Sequence, residues 1–387
     1  MFKVLTLNNI SPAGIQRLDP ESYDMETEAD DAEVILLRSA KMHDMAMPAN
    51  LKVVGRAGAG VNNIPIEKFS ALGIPVFNTP GANANAVKEL VVAGMLLSAR
   101  NLIQSWQYTG NLSSEGDLLN KEVEAAKKQF AGYELPGRTL GVVGLGAIGR
   151  QVAKVALDLG MKVIGFDPGL TVEGAWQLPA EIVQAASVDE LMAKSDMVTF
   201  HVPLNEHTRD LLDEKRIRLL KKGATVLNFA REGIVNNSAV IAALESDHLH
   251  AYVCDFPAAE FRNCPRVICL PHLGASTREA EENCAVMVVD QVRDYLEQGN
   301  ISNSVNFPNA NLPRGEGFRL AVANSNVPNM VGQIATDLAD AGLNIIDMLN
   351  KSRGDLAYTL VDTDGKLPET LLDKIRGIEG VLSVRTL

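Results

Sequence analysis

The sequence is poor in cysteine and in positive charge, and it has no long apolar run. Cys254, Cys264, Cys269 and Cys284 are the only four cysteines in 387 residues, and none stands in C-x-x-C spacing. That excludes the usual zinc and cluster motifs and reads as reduced, structural thiols of a reducing compartment, with no metal site. Lys and Arg number 36 against 48 Asp and Glu, a net charge of −12. A general binder of nucleic acid or anionic membrane presents a basic face, so neither partner is expected, although a small basic pocket for an anionic substrate is still allowed. No stretch of about 18 apolar residues occurs, so no membrane-spanning helix is expected. The start, MFKVLTLNNISPAG, lacks a charged leader, an apolar core and a cleavage site. It reads as a first strand, and a cytoplasmic location is the expectation.

What is present is an ordinary globular composition, 46% hydrophobic and 22% charged, over a length that implies two or three domains. KVLTL, AEVILLRS, LKVVGRAG and IPVFNTP read as strands separated by helix-like segments, the pattern of parallel β/α winding. NAVKELVVAGMLLSARN reads as a long buried helix, and residues 110–136 as a polar helical excursion on the surface. A second β/α series follows from TLGVVGLG to RVICLPHLG, then the long helix TREAEENCAVMVVDQVRDYLEQG. Residues 300–317 have the Asn, Pro, Gly and Ser content of a linker. The last 70 residues or so give β-α-β-β-α-β, a small antiparallel sheet with two helices on one face, expected as a separate ferredoxin-like module.

The segment 139–168 holds Gly144, Gly146 and Gly149 in G-x-G-x-x-G spacing, after an apolar strand and before a helix. In that context Gly144 permits a tight turn, Gly146 lets a pyrophosphate approach, and Gly149 lets helix and strand pack closely. The helix start offers unpaired amides and a positive dipole end to the anion. Asp167 ends the next strand about 20 residues on, where a carboxylate bonds a ribose diol and repels a 2′-phosphate. Pro168, not Arg, follows it, which favours NAD over NADP.

Three residues farther on suit acid–base chemistry on an alcohol. Arg231 in NFAREGIV and His272 in LPHLGAST stand where strands end, and Glu260 lies in CDFPAAEF. Histidine can take an alcohol proton while a hydride leaves, Glu can orient the ring and stabilise its charge, and Arg can hold a carboxylate by two parallel bonds. Each alone reads more readily as a surface group; their joint placement at strand ends carries the expectation. His201 in FHVPL reads equally as a wall of the nucleotide crevice or as a buried, satisfied ring. His248 and His250 read as helix-end or loop residues.

VGRAGAGVNNI, GIPVFNTPGAN, GVVGLGAIGR, HVPL, NFAREGIV, Asp255 with Glu260, and PHLGAST resemble, in order, the motifs of the D-isomer-specific 2-hydroxyacid dehydrogenases. The resemblance covers most of residues 35–290. It implies Arg231, Glu260 and His272 as the catalytic set. It also implies cofactor contacts at Thr79, Ala147, Ile148, Asp167, Val202, Phe229, Ala230, Arg231, Asp255, His272 and Gly274. In that family the nucleotide domain is inserted into the substrate domain. Residues 1–98 with 286–305 would form one lobe, 99–285 the other, with 306–316 a linker, 317–387 the terminal module and the substrate in the cleft between the lobes. The glycine turn then sits on the first strand of its own domain, although well over a hundred residues precede it.

The substrate carboxylate would meet the backbone of Gly58, Ala59 and Gly60, small residues that let a ligand close. A phosphorylated substrate needs added positive charge, for which Arg56, Arg38 and Ser39 are the candidates, with Lys41 and Lys88 either phosphate contacts or surface charges. The activity implied is NAD-dependent oxidation of 3-phospho-D-glycerate to 3-phosphohydroxypyruvate at the opening of L-serine synthesis. Two alternatives stay open: another dehydrogenase of the family, such as a glyoxylate/hydroxypyruvate reductase, and a non-catalytic NAD-sensing regulator. The terminal module resembles an ACT domain, a small amino-acid sensor. Asn326 and Asn344 match its effector positions, although Asn329-Met330 departs from the usual Pro-Gly and aliphatic pattern. L-serine as effector, and a homodimer or homotetramer, follow as expectations; the alternative is a module that only joins subunits by sheet edges.

Overall fold

The apolar runs at the start of the chain become short strands, of which the third and fifth are buried at every position. In the computed structural model, which describes residues 1–25 and 28–387, these are β1 (Phe2–Leu7), β2 (Tyr23–Asp24), β3 (Val34–Leu37), β4 (Val53–Arg56) and β5 (Val76–Phe77). They pair in parallel in the order β2-β1-β3-β4-β5. Parallel sheets buried on both faces need continuous apolar strands, and Val34–Leu37 are buried at every position.

The second sheet comprises β6 (Thr139–Val143), β7 (Lys162–Phe166), β8 (Val183–Gln184), β9 (Met197–Phe200), β10 (Ala224–Asn228), β11 (Leu249–Cys254) and β12 (Val267–Cys269). It too is parallel, in the order β12-β11-β10-β9-β6-β7-β8, so the direction of winding reverses between β6 and β9. Ligand crevices of open α/β sheets lie at such a reversal, beyond the carboxyl ends of the strands. The glycine turn leaves β6, the first strand of this sheet.

The third sheet, β13 (Phe318–Ser325), β14 (Ile345–Arg353), β15 (Leu356–Thr363) and β16 (Val381–Thr386), is antiparallel in the order β14-β15-β13-β16. The helices Met330–Asp340 and Glu369–Arg376 complete the expected β-α-β-β-α-β sequence.

The chain divides into two compact units, Met1–Ala82 with Arg278–Leu387, and Asn83–Thr277. Both crossings come earlier than the sequence motifs suggested, at 82/83 and 277/278 instead of 98/99 and 285/286. The first shift has a packing reason: Val87, Val91 and Met95 of the helix Ala84–Ala99 share a core with Leu140 and Val152 of the second unit. The second has one too, since Ala285, Val288 and Val292 of the helix Arg278–Gln298 pack on Val34, Leu36 and Val53 of the first.

The terminal module is less separate than its sequence implied. Along β13 the side chains alternate, as in any strand. Leu320 and Val322 face the module's own helices, while Ala321 and Ala323, with Tyr358 and Leu360, join the core built on Val4, Leu36 and Val288. Arg319 fixes this junction. It is fully buried, and its Nε and Nη2 donate to Asp362 Oδ1 and Oδ2, both at 2.6 Å. Nη1 donates to the carbonyls of Gln298 and Leu312, and Nη2 also to that of Pro313, at 2.8–3.0 Å. All five guanidinium N–H groups are thereby satisfied. The stretch read as a linker is packed as well, with Phe307, Ala310 and Leu312 buried. Among the described residues no helix is long and apolar enough to cross a membrane.

Candidate active site

The glycine turn follows from steric necessity. Gly144 has φ +89°, its amide donates to Phe166 O at 2.9 Å, and a Cβ there would lie 2.5 Å from His201 O. At Gly149 a Cβ would fall 1.9 Å from Gly144 O, so only glycine lets this helix start against this turn. Gly146 differs: nothing lies within 4 Å of the place its Cβ would take, and that is the room an approaching pyrophosphate needs. The helix Ala147–Asp158 begins there with no side-chain cap and no acidic residue in its first turn, which leaves amides and the positive end of its dipole for an anion. Asp167 is held in place beside it. Its Oδ2 accepts from Leu145 N at 2.8 Å and its Oδ1 from Gly169 N at 2.9 Å. Each oxygen keeps further accepting capacity for a hydroxyl.

Across the reversal, His201 follows β9. Thr199 Oγ1 lies 3.1 Å from its Nε2, while its Nδ1 is buried without a partner. Burial pushes the ring's pKa down to about 3, so it is neutral. Val202 packs on Gly144, 2.8 Å from where a Cβ would be.

The remaining polar groups of this unit collect at the ends of β10, β11 and β12. Arg231 is exposed, with Nη1 donating to Ala230 O at 2.6 Å. Asp255 is 1% exposed; its Oδ2 accepts from Gly274 N at 3.2 Å, and its Oδ1 is buried without a partner. Burial raises the Asp255 pKa, opposed by the charges of His272 and Arg231 and by the Gly274 amide. His272 has φ +52°, an uncommon left-handed backbone for a residue with a side chain. Its amide donates to Asp255 O at 3.0 Å, and its ring meets Phe256 edge-on at 5.2 Å. The strain sits where a side chain must be aimed.

Glu260 stands apart from this arrangement. Among the described residues no hydrogen bond or ion pair joins it to His272; it lies exposed on the turn Ala259–Phe261. Phe261 is buried against Tyr252, ring centroids 5.7 Å apart, and this packing turns its neighbour outward. The carboxylate that feels the charge of His272 here is Asp255.

Residues 92–274 match the family model of the D-isomer specific 2-hydroxyacid dehydrogenase NAD binding domain. The D-3-phosphoglycerate dehydrogenase of Haemophilus influenzae is 32% identical over 349 residues, 87% of this chain and 81% of that protein. The chain belongs to the D-isomer-specific 2-hydroxyacid dehydrogenases. The D-3-phosphoglycerate dehydrogenase of Methanocaldococcus jannaschii is 36% identical over 341 residues, 86% of this chain but 62% of that protein. The chain thus spans about three fifths of the length of some curated relatives that it matches. Among solved structures, the NAD+-bound 3-phosphoglycerate dehydrogenase of Entamoeba histolytica superposes with a TM-score of 0.61 at 25% identity, over 79% of this chain and 98% of that one.

In the first unit the other family motifs form a loop cluster. Gly58 has φ +149°, and Asn78 Nδ2 donates to Ala59 O at 2.7 Å. Thr79 is buried, its amide donating to Gly58 O at 3.1 Å. Gly60 is half-buried in the same loop. Lys88 is tied to its own helix through Asn85 Oδ1 at 2.6 Å, which favours the surface-charge reading.

Three asparagines escaped the sequence reading. Asn228, 1% exposed, donates to Arg231 O at 2.9 Å and accepts from Ala230 N at 3.2 Å, so it shapes the turn that presents Arg231. Asn8 and Asn63 do the same for the loop Arg38–Ala40. The only local signal was their position at strand ends and turns, which asparagine favours for many reasons.

Proposed function

We propose that this chain is an NAD-dependent dehydrogenase that oxidises 3-phospho-D-glycerate to 3-phosphohydroxypyruvate, the step that opens L-serine synthesis. The observation that carries the reading is the gathering of Arg231, Asp255 and His272 at strand ends in the sheet that also carries the Asp167-bonded glycine turn. The curated relatives named D-3-phosphoglycerate dehydrogenase supply the substrate.

The site fits the dinucleotide on its own terms. Amides of Ala147 and Ile148 would hold the pyrophosphate, Asp167 the adenosine ribose, and the unpartnered Asp255 Oδ1 the polar edge of the nicotinamide end. Phe229, Ala230, Val202 and Gly274 would supply walls. NAD, when bound, accepts the hydride lost from C2 of the hydroxy acid. Arg231 binds the substrate carboxylate by two parallel bonds, and His272 takes the hydroxyl proton. Glu260, turned outward here, would support the charged ring once the proton has moved. On the first unit, Gly58, Ala59 and Gly60 would offer backbone amides, and Arg38, Ser39 and Arg56 would take the phosphate.

The terminal module would be an ACT-like sensor of L-serine in a homodimer or homotetramer, within the cytoplasm. Asn326 bonds Gly354 O beside the β14–β15 turn, while Asn344 lies at the opposite end of β14, bonded to Asp364. A strand of eight or nine residues separates them by roughly 25–30 Å. One amino acid cannot bridge both within a single chain, so the site needs the Asn326 of one copy and the Asn344 of another.

The test is NAD reduction with 3-phosphoglycerate against D-glycerate and D-lactate at equal concentration, with and without L-serine. Preference for the phosphorylated acid is expected, with serine lowering the rate. Equal or better use of an unphosphorylated acid overturns the substrate, and indifference to serine overturns the effector.

A further inference from the structure

We propose that Glu281 is a specificity-determining residue: it occupies the guanidinium of Arg38 and sets how strongly the first unit holds a phosphorylated acid. The proposal rests on the reading of Arg38 as a phosphate ligand. Arg38 follows β3, and its backbone is fixed. Its carbonyl accepts from Arg56 Nε at 3.0 Å and Asn63 Nδ2 at 3.3 Å, and the next two amides donate to Asn8 Oδ1 at 3.2 and 2.6 Å. Only the side chain has room to change partner. Its Nη1 lies 2.7 Å from Glu281 Oε1, with 36% of the arginine and 46% of the glutamate side chain exposed.

Glu281 belongs to the first turn of the helix Arg278–Gln298, where the dipole favours a carboxylate. Cys284, one turn along that helix, feels Arg38, Arg56 and Glu281 together, which places both cations and the carboxylate in one cluster. A single-contact, half-exposed ion pair is weak and exchangeable. A phosphate offers three acceptor oxygens and close to two charges, so it can displace the carboxylate from Arg38. Glu281 then stays behind as a like charge beside the dianion. Its cost falls on phosphorylated ligands alone, because an acid without the phosphate has no use for Arg38. If the pair were only a solvated surface contact, removing the glutamate charge would change nothing.

The experiment is steady-state kinetics of the full chain with 3-phosphoglycerate and D-glycerate, with inhibition constants for inorganic phosphate, and for D-glycerate where its turnover is too slow to follow. Glu281→Gln keeps the shape and removes the charge; Glu281→Ala controls for the amide, and thermal melting confirms that both fold. The KM for 3-phosphoglycerate and the inhibition constant for phosphate should fall about 3- to 10-fold in both variants, with D-glycerate constants within about 2-fold. Adding Arg38→Gln to Glu281→Gln should erase the gain. A wild type that prefers 3-phosphoglycerate, in which Glu281→Gln leaves or raises that KM, overturns this proposal alone. No discrimination between the two acids in any form overturns the substrate reading with it.

Discussion

Two arginine–carboxylate pairs in the first unit show how differently the same chemistry is used. Arg319 and Asp362 are buried, meet through two bonds, and leave no guanidinium N–H unsatisfied. Arg38 and Glu281 meet through one contact and are half-exposed. The first pair has no capacity for another partner, so it is architecture. The second has spare donors and solvent beside it, so it can exchange. The same contrast runs through the second unit. Buried Asn228 is spent on the turn, donating to Arg231 O and accepting from Ala230 N, while Arg231 and His272 are exposed and Asp255 keeps an unpartnered oxygen. Saturated polar groups hold the fold, and unsaturated ones mark where a ligand belongs.

The largest effect should come from removing an open group. His272→Ala should lower kcat about 10²- to 10⁴-fold with NADH binding and melting temperature near wild type, because a positioned acid–base is lost and no buried contact is broken. Arg231→Ala should also raise KM for the hydroxy acid. A turnover within a few-fold of wild type in either variant would break the comparison on its functional side.

Removing a saturated group should do the reverse. Arg319→Ala leaves Asp362 as an uncompensated buried charge and three carbonyls without a donor, and should cost about 3–5 kcal/mol of stability. Arg38→Ala should stay within about 0.5 kcal/mol. Urea unfolding of both variants decides the matter. Equal losses would show that the two pairs are not different in kind.

Much of this was legible in the sequence, and the failures have causes. The second sheet could be read because its marks are local: a glycine that must have positive φ, a carboxylate one strand on, apolar runs with turns between. The strands β2 and β8 escape because Tyr23–Asp24 and Val183–Gln184 each pair an apolar residue with a polar one, whereas the equally short Val76–Phe77 stands in the apolar run IPVF. The linker was misread for a subtler reason. Asn306 accepts from Val76 N and Ser304 Oγ and donates to Ile74 O and Ser70 Oγ, so its amide replaces a strand's hydrogen bonds inside the core. Composition cannot separate such an asparagine from one that turns a loop in water. At the candidate site, single residues of Arg, Glu and His could be named, but whether Glu260 touched His272 depended on how Phe261 packed, which no spacing reports.

An effect smaller than the loss of Arg319 is expected of pH, and it falls on a group between the two classes. His201 has one partnered nitrogen and one buried nitrogen without a partner, and burial lowers its pKa from 6.5 to about 3. A histidine whose folded pKa is depressed resists protonation in the folded state while the unfolded chain takes the proton freely. Its contribution is therefore complete above pH 6.5 and shrinks as the pH falls toward 3, the direction in which the unfolded state binds more protons. Between pH 7 and pH 5 the loss from this one group should be about 2 kcal/mol, following from 1.36 kcal/mol per pKa unit. His201→Asn should start less stable at pH 7, because the packing around the ring is disturbed, yet lose less on acidification. The measurement is the pH dependence of urea unfolding free energy for wild type and variant, read as the difference of slopes so that carboxylate titrations common to both cancel. Parallel slopes would mean that the ring is already solvated and protonates at its ordinary pKa. His201 would then belong with the open groups of the site, available to a ligand as a charge and not only as a wall.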